Sequence, residues 1–494
     1  MIMRKAKIIC TIGPASASPV TVDRLIAAGM NAARLNFSHG TYESHAAAIT
    51  TIRQASSKQG TAVAIIQDLQ GPRIRVGLVP QAGIHVTAGQ SVRLRAVSES
   101  RSADHAVSDA IPISYPAFTR DLRAGARILI NDGLIELVAE HIHGDVVDCS
   151  VLIGGTITSH KGINLPGTAV SAPTLTEKDR KDIRFGVDQG VDYMALSFVR
   201  GPHDIEAARA VLQQHGCRIP LIAKIERAEA VTALDDILTC ADGVMIARGD
   251  LGVEMGPEAV PILQKRIILE ANRRRRLVIT ATQMLESMTQ ATRPTRAEAS
   301  DVANAVFDGS DAVMLSAETA VGAYPIEAVQ VMDRLIRAAE DTTEPGVTIK
   351  ADPGPSDLSL AEAISAAAAS AARAVRARAI VAFTEGGTTA RLISKHRPTS
   401  PLLAFTPSAT ILRQMALYWG VRPFPMDRGG PPELWLAEAE HRLIAEHLCS
   451  SGDIVAVASG TMAGQVGGTN MLKLHEIGSL PSGDDQNLVA SPQS

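Results

Sequence analysis

The sequence predicts an α/β protein: a (β/α)8 TIM barrel with an inserted antiparallel β-barrel lid domain, followed by a C-terminal open α/β sheet domain. Three observations lead there. Short, continuously apolar runs alternate with helical patterns through the first two thirds of the chain. The third run leads not into a helix but into a long stretch of alternating, turn-rich texture, residues 73–166. A separate αβ series begins after a segment rich in Pro, Asp and Ser.

The apolar runs are KIICTI (Lys7–Ile12), AARLNF (Ala32–Phe37), AVAIIQD (Ala62–Asp68), YMALS (Tyr193–Ser197), PLIAK (Pro220–Lys224), GVMIA (Gly243–Ala247), LVITA (Leu277–Ala281) and AVMLS (Ala312–Ser316). Apolar runs of strand length, each followed by a helical pattern, read as parallel strands buried on both faces, and eight in succession fit a closed barrel. Residues 1–72 and 167–345 form the two parts of this barrel domain. Within residues 73–166, the inserted lid, SVRLRAV (Ser91–Val97) alternates, and Asn131-Asp132-Gly133 and His143-Gly144-Asp145 carry hairpin chemistry. DPGPSD reads as a linker into residues 346–478, with an Ala-rich helix (Ala361–Val375), strand AIVAF (Ala379–Phe383), a glycine loop and strand DIVAVA (Asp453–Ala458). Residues 479–494 read as a disordered tail.

At 494 residues the chain exceeds a single core and suggests about three domains. A formal net charge of −4 with 20% charged residues gives no footprint for nucleic acid or membrane. The basic run NRRRRLVIT (Asn272–Thr280) lies between a helix and a strand, where arginines meet the negative end of a helix dipole. Five scattered cysteines with no CxxC pair suggest neither disulfides nor zinc. No run has transmembrane length and no secretory signal is read, so a soluble, cytoplasmic protein is expected.

The chemistry of such a barrel sits at the C-terminal ends of its strands. There the second strand carries Arg34, Asn36, Ser38 and His39, and the third carries Asp68, then Arg73 and Arg75. The fifth carries Lys224 and Glu226, the sixth Arg248, Gly249 and Asp250, the seventh Thr282, and the eighth Ser316 and Glu318. A single polar strand end is usually just solvated; polar groups at nearly every one of them point to a site. Glu226 and Asp250 suit a hard divalent cation, Mg²⁺ first and Mn²⁺ as a substitute. Lys224 shares a strand face with Glu226, and a lysine, an arginine and a metal around one point suit a transferring phosphoryl group. No GxxxxGK[ST] loop is present, so a nucleotide would not be held in a Walker-type cradle.

The stretches KIICTIGPAS, AARLNFSHG, KGINLPG, LIAKIE, ARGDLGVE, ATQMLESM, RPTRAEASDVANAVFDGSDAVMLSAETA and GAYP resemble those of pyruvate kinases, in the same order. The resemblance implies phosphoryl transfer from phosphoenolpyruvate to ADP, a mobile lid, a C-terminal effector domain and a homotetramer. By motif it implies Lys224 as the lysine that stabilises the transition state, Glu226 and Asp250 as Mg²⁺ ligands, and Arg34 on the substrate phosphate. Gly249 and Thr282 fall near the substrate carboxylate, and Thr282 and Ser316 are candidates for delivering the proton to the enolate. Arg75, His39 and the lid's Lys161 match nucleotide-phosphate contacts, and Asn36 is grouped with them. Asn36, Ser38 and Asp68 match ligands of a monovalent cation. A Mg²⁺-dependent barrel lyase or aldolase acting through a pyruvate enolate is the alternative; it has no obvious use for the lid or the third domain. A catalytically dead metabolite sensor would not need Lys224, Glu226, Asp250 and Thr282 together.

Two departures carry expectations of their own. Potassium-requiring relatives have a motif like DTKGPEIRT where this chain reads DLQGPRIRV, with glutamate at the Arg73 position. The potassium-independent branch usually has lysine there, so Arg73 is expected to replace the ion and K⁺ not to be required. In the C-terminal domain, FTEGGTTARL (Phe383–Leu392) offers Thr384, Glu385, Gly386, Gly387, Thr388 and Thr389 as an effector-phosphate loop. The late loop Ser459–Asn470 lacks the Trp-Arg pair of forms that grip fructose 1,6-bisphosphate, and Thr388 stands where those forms have a basic residue. A phosphorylated effector with one phosphate, a sugar monophosphate or AMP, is therefore expected.

Overall fold

The computed structural model describes residues 4–97, 109–342, 358–426, 432–460 and 468–479. The expected linker DPGPSD, most of the Ser459–Asn470 loop and nearly all of the expected tail lie outside the described residues.

Eight parallel strands close a barrel in sequence order: Lys7–Thr11, Ala32–Asn36, Ala64–Asp68, Tyr193–Leu196, Leu221–Ile225, Gly243–Ala247, Leu277–Ala281 and Ala312–Leu315. They are called here the first to eighth strands. The fifth begins one residue later than its apolar run, because Pro220 has no N–H to give to a ladder. Side-chain alternation divides each strand. Ile8, Cys10, Leu35, Val244 and Val313 face outward onto the helices. Ile9, Ala32, Ile66, Met245, Ile279 and Met314 face inward and fill the barrel. Capping boxes at Thr41, Thr176 and Thr295 fix the starts of three barrel helices just beyond strand ends or lid.

The lid is a six-stranded sheet with a two-stranded ribbon, built around its own core that includes Val86, Phe118, Leu137 and Val151. Its ladders are antiparallel except where Ser91–Ala96 pairs with Ile111–Ile113 in parallel. Asn131, Asp132 and Gly133 all have left-handed φ (57°, 56° and 83°), as the expected hairpin requires. The chain enters and leaves the lid as a pair: Arg75 bridges Gly162, and Val76 N–H donates to the Lys161 carbonyl at 2.9 Å.

The C-terminal sheet runs in the order Val421–Pro425, Leu402–Thr406, Ala379–Phe383, Ile454–Gly460, Thr469–Glu476, with only the last strand antiparallel. This domain closes the N-terminal end of the barrel. Leu417 joins the inward-facing cluster, and Tyr193 Oη donates to the Gln414 carbonyl at 2.9 Å. Asp311, just before the eighth strand, takes Lys395 at 2.5 Å and Arg397 at 2.9 Å. The basic run is part of the same scaffold. Arg276 donates to the carbonyls of Leu238 and Thr239 at the end of the helix Leu234–Cys240, and Arg275 pairs with Glu362 of the C-terminal domain at 3.0 Å. Among the described residues no helix is long and apolar enough to cross a membrane.

Candidate active site

The inward set of each strand continues past the barrel's apolar filling into polar residues at the C-terminal end. Thr11, Arg34, Asn36, Asp68, Ser197, Lys224 and Glu226 all keep the parity of the apolar residues below them. Lys224 Nζ lies 2.8 Å from Glu226 Oε1, 2.8 Å from Ser197 Oγ and 3.4 Å from Asp68 Oδ1. Arg34 Nε donates to the other Asp68 oxygen at 2.7 Å, and its Nη1 donates to Thr11 Oγ1 at 3.1 Å. Phe198 N–H donates to Glu226 Oε2 at 2.7 Å, which leaves Glu226 aimed and fixed.

Burial works against the charge on Asp68, but the Lys224 and Arg34 cations more than offset it and hold the carboxyl below its usual range. Burial likewise pushes Lys224 down, while Asp68 and Glu226 together raise it above an ordinary lysine. Asp250, in the first turn of the helix Arg248–Met255, behaves differently. Burial and then the neighbouring Glu226 charge push its carboxyl up to about 6. Glu226 and Asp250 are neighbouring oxygen donors whose mutual repulsion a hard divalent cation would relieve. Among the described residues no group of three or more His, Cys, Asp or Glu could hold a metal, so water and substrate oxygens would complete the sphere, as Mg²⁺ prefers.

Asp250 also lines a cleft of about 720 Å³ between barrel and lid. Its walls include His39, Arg73, Arg75, Lys161, Asp132 and Asp250, so the pairing of the lid's entry and exit segments brings Arg75 and Lys161 to one ligand-sized space. Burial pushes the His39 imidazole down, and the Arg73, Arg75 and Arg34 charges add to this. Thr282 and Gln283, just after the seventh strand, adopt left-handed φ of 71° and 53°; a Cβ on Gly249 would stand 3.4 Å from Thr282 Cγ2. The Ser316 N–H donates to Glu318 Oε2 at 2.6 Å.

The pyruvate kinase barrel-domain family matches residues 3–329, and the pyruvate kinase alpha/beta-domain family matches residues 362–475. The chain belongs to the pyruvate kinase family. It is 42% identical over 475 residues to a pyruvate kinase of Mycobacterium tuberculosis, covering 96% of this chain and 99% of that one. It is also 42% identical over 481 residues to one of Sporosarcina psychrophila, covering 97% of this chain and 81% of that one. Among solved structures, a pyruvate kinase from Cryptosporidium parvum superposes with a TM-score of 0.88 at 37% identity, covering 96% of each chain. The chain is thus a phosphotransferase of the pyruvate kinase family, and the lyase or aldolase alternative finds no support.

The expected site residues divide by place. Arg34, Asp68, Lys224 and Glu226 form one contact network, with Asp250 coupled to it by charge. His39, Arg73, Arg75 and Lys161 line the cleft with Asp250. Asn36, paired in register with Asp68, and Ser38 lie beside the network; the Asn36 side-chain Oδ1 accepts from the Ser38 N–H at 3.1 Å. Thr384 to Thr389 stand apart in the C-terminal domain, running from the end of its strand Ala379–Phe383 into the first turn of the helix Thr388–Ser394. There Gly387 has φ 78° and Thr389 Oγ1 is bonded to Thr469 Oγ1 at 2.6 Å. Sequence reasoning overlooked Ser197, Asp132 and the backbone of Phe198. Ser197 was detectable, since it keeps the inward parity of Tyr193 and Ala195 at the end of the fourth strand.

Proposed function

We infer that the protein transfers the phosphoryl group of phosphoenolpyruvate to ADP, giving pyruvate and ATP, the last step of glycolysis. The observation that carries this reading is the inward Asp68–Arg34–Lys224–Glu226 network, linked by the charge of Asp250 to a basic cleft that Asp250 itself lines. Arg34 and Lys224 bind the substrate phosphate and meet the charge that spreads over it as its P–O bond breaks. The cleft cations Arg75 and Lys161, with His39 and Asn36, hold the phosphates of ADP so that a terminal oxygen can attack in line. Gly249 and the Thr282 turn receive the substrate carboxylate, and Thr282 or Ser316 delivers the proton that converts the enolate into pyruvate. Glu226 and Asp250 would hold Mg²⁺ or Mn²⁺, which when bound neutralises charge on phosphate and enolate oxygens. A coupled assay for pyruvate from phosphoenolpyruvate and ADP tests the reading; no product with Mg²⁺ present refutes it.

The protein works without K⁺, in this reading, because Arg73 supplies a fixed positive charge. Arg73 lies in the cleft and its charge acts on both Asp250 and His39, while Asp68 is already balanced by Arg34 and Lys224. In buffers whose only monovalent cation is tetramethylammonium, activity should be near maximal. Arg73→Glu should be weak there until KCl is added, and a wild-type protein nearly inactive without K⁺ contradicts the idea. The loop Thr384–Thr389 is read as the seat of a phosphorylated effector with a single phosphate, and the protein as a cytoplasmic homotetramer. Strong activation by fructose 1,6-bisphosphate and none by any monophosphate would overturn the effector reading. The division into residues 1–72, 73–166, 167–345 and 346–478 follows the same reading, and the separate lid core supports it.

A further inference from the structure

We propose that Arg248 is the positioning residue for Thr282, and that through this one side chain the sixth and seventh strand ends hold a single geometry. The proposal rests on the phosphotransferase reading above, and specifically on Thr282 facing the substrate.

Thr282 is β-branched and sits at φ 71°, followed by Gln283 at φ 53°, a pair of left-handed residues that neither side chain favours. Such a turn persists only if its surroundings hold it. It also rotates successive carbonyls away from the strand ladder, so their hydrogen bonds must come from elsewhere. The Arg248 guanidinium provides them. Its Nε donates to the carbonyls of Ala281 at 3.2 Å and Thr282 at 3.1 Å, and its Nη2 to those of Thr282 at 2.6 Å and Gln283 at 3.2 Å. The third nitrogen, Nη1, is anchored to Asp301 at 2.7 Å and Gln264 at 3.3 Å. The side chain is 8% exposed, and only a planar fork with several fixed donors satisfies this arrangement; a lysine ammonium cannot.

Arg248 immediately precedes Gly249 and Asp250. The side chain therefore ties the segment carrying the metal carboxylate to the backbone of the candidate proton donor, and Gly249 packs beside it, where a Cβ would stand 3.4 Å from Thr282 Cγ2. Displacing the turn by an ångström would leave the phosphate grip of Lys224 and Arg34 in place and misdirect the Thr282 hydroxyl.

The test uses the full chain with Mg²⁺. Thr282→Ala alone, and Arg248→Lys and Asp301→Asn each alone and combined with Thr282→Ala, are assayed for pyruvate formation and for exchange of pyruvate methyl protons with D₂O by proton NMR. Arg248→Lys should lower kcat and methyl-proton exchange by about tenfold to a hundredfold, with the KM for ADP within about threefold of wild type. Added to Thr282→Ala, it should cost less than about twofold more, since nothing remains to be positioned. If Arg248→Lys does not fold, Asp301→Asn carries the same cycle with an expected loss of about threefold to tenfold. Single variants with wild-type rates, or losses that multiply fully with Thr282→Ala, overturn the proposal. A wild-type protein that forms no pyruvate overturns the functional reading instead.

Discussion

Replacing Lys224 with methionine keeps the length and most of the volume of the side chain and removes its charge. In the folded protein that charge lies 2.8 Å from Glu226 and 3.4 Å from Asp68, in a side chain only 11% exposed. The two carboxylates hold the ammonium protonated against the effect of burial, so a full positive charge is present at any working pH. A unit charge about 4 Å from a developing anion is worth roughly 4 kcal/mol at an effective dielectric constant of about 20. Removal of one pre-organised donor elsewhere costs about 10² to 10³ in kcat, about 2.7–4 kcal/mol. The two figures agree, so Lys224→Met should lower kcat by about 10² to 10³. The KM for phosphoenolpyruvate should rise less than about threefold, because Arg34, still fixed by Asp68 and Thr11, remains as the ground-state anchor. Loss of one cation among Asp68, Glu226 and Asp250 makes the site more negative, so Mg²⁺ should not bind more weakly. Steady-state kinetics at saturating Mg²⁺ and a Mg²⁺ titration measure both, with near-ultraviolet circular dichroism as the check on folding. A kcat within tenfold of wild type, or a loss confined to KM, would refute the reasoning.

Glu226→Gln and Asp250→Asn should each raise the Mg²⁺ concentration needed for half-maximal rate, or abolish turnover; an unchanged Mg²⁺ titration removes them from the metal site. Leu417→Ala empties a wholly buried position at the lower end of the barrel and should cost about 2–5 kcal/mol, read as a lower urea midpoint. An unchanged midpoint would mean that the C-terminal domain does not brace the barrel. Burial pushes the Lys7 ammonium down to about 7, where it donates to the Val421 carbonyl at 2.7 Å. An unfolded lysine keeps its proton up to about 10.4, so between these values the unfolded chain binds more protons and stability rises with pH, by up to about 1.4 kcal/mol per unit. Lys7→Met should remove that slope; equal shifts in the unfolding midpoint of wild type and variant between pH 7 and pH 9 would contradict it.

By itself the sequence determined the barrel, the lid and the candidate site. A strand buried on both faces must be apolar along its length, so eight such runs were visible without any partner. Alternation then sends every second residue inward, which made the pairing of Lys224 with Glu226 readable and would have revealed Ser197. Residues that act through backbone geometry or across long separations were decided only by the tertiary structure. Nothing local announces that Thr282 and Gln283 turn left-handed, because that conformation is held by Arg248, a residue of the previous strand end. Arg75 and Lys161 meet because the lid leaves the barrel beside the point where it enters. Leu417 belongs to no periodic pattern, and it becomes a core residue of the barrel only when the C-terminal domain docks. Periodicity records what an element does with its own two faces; which distant groups then share a charge, a carbonyl or a cavity depends on how the elements pack.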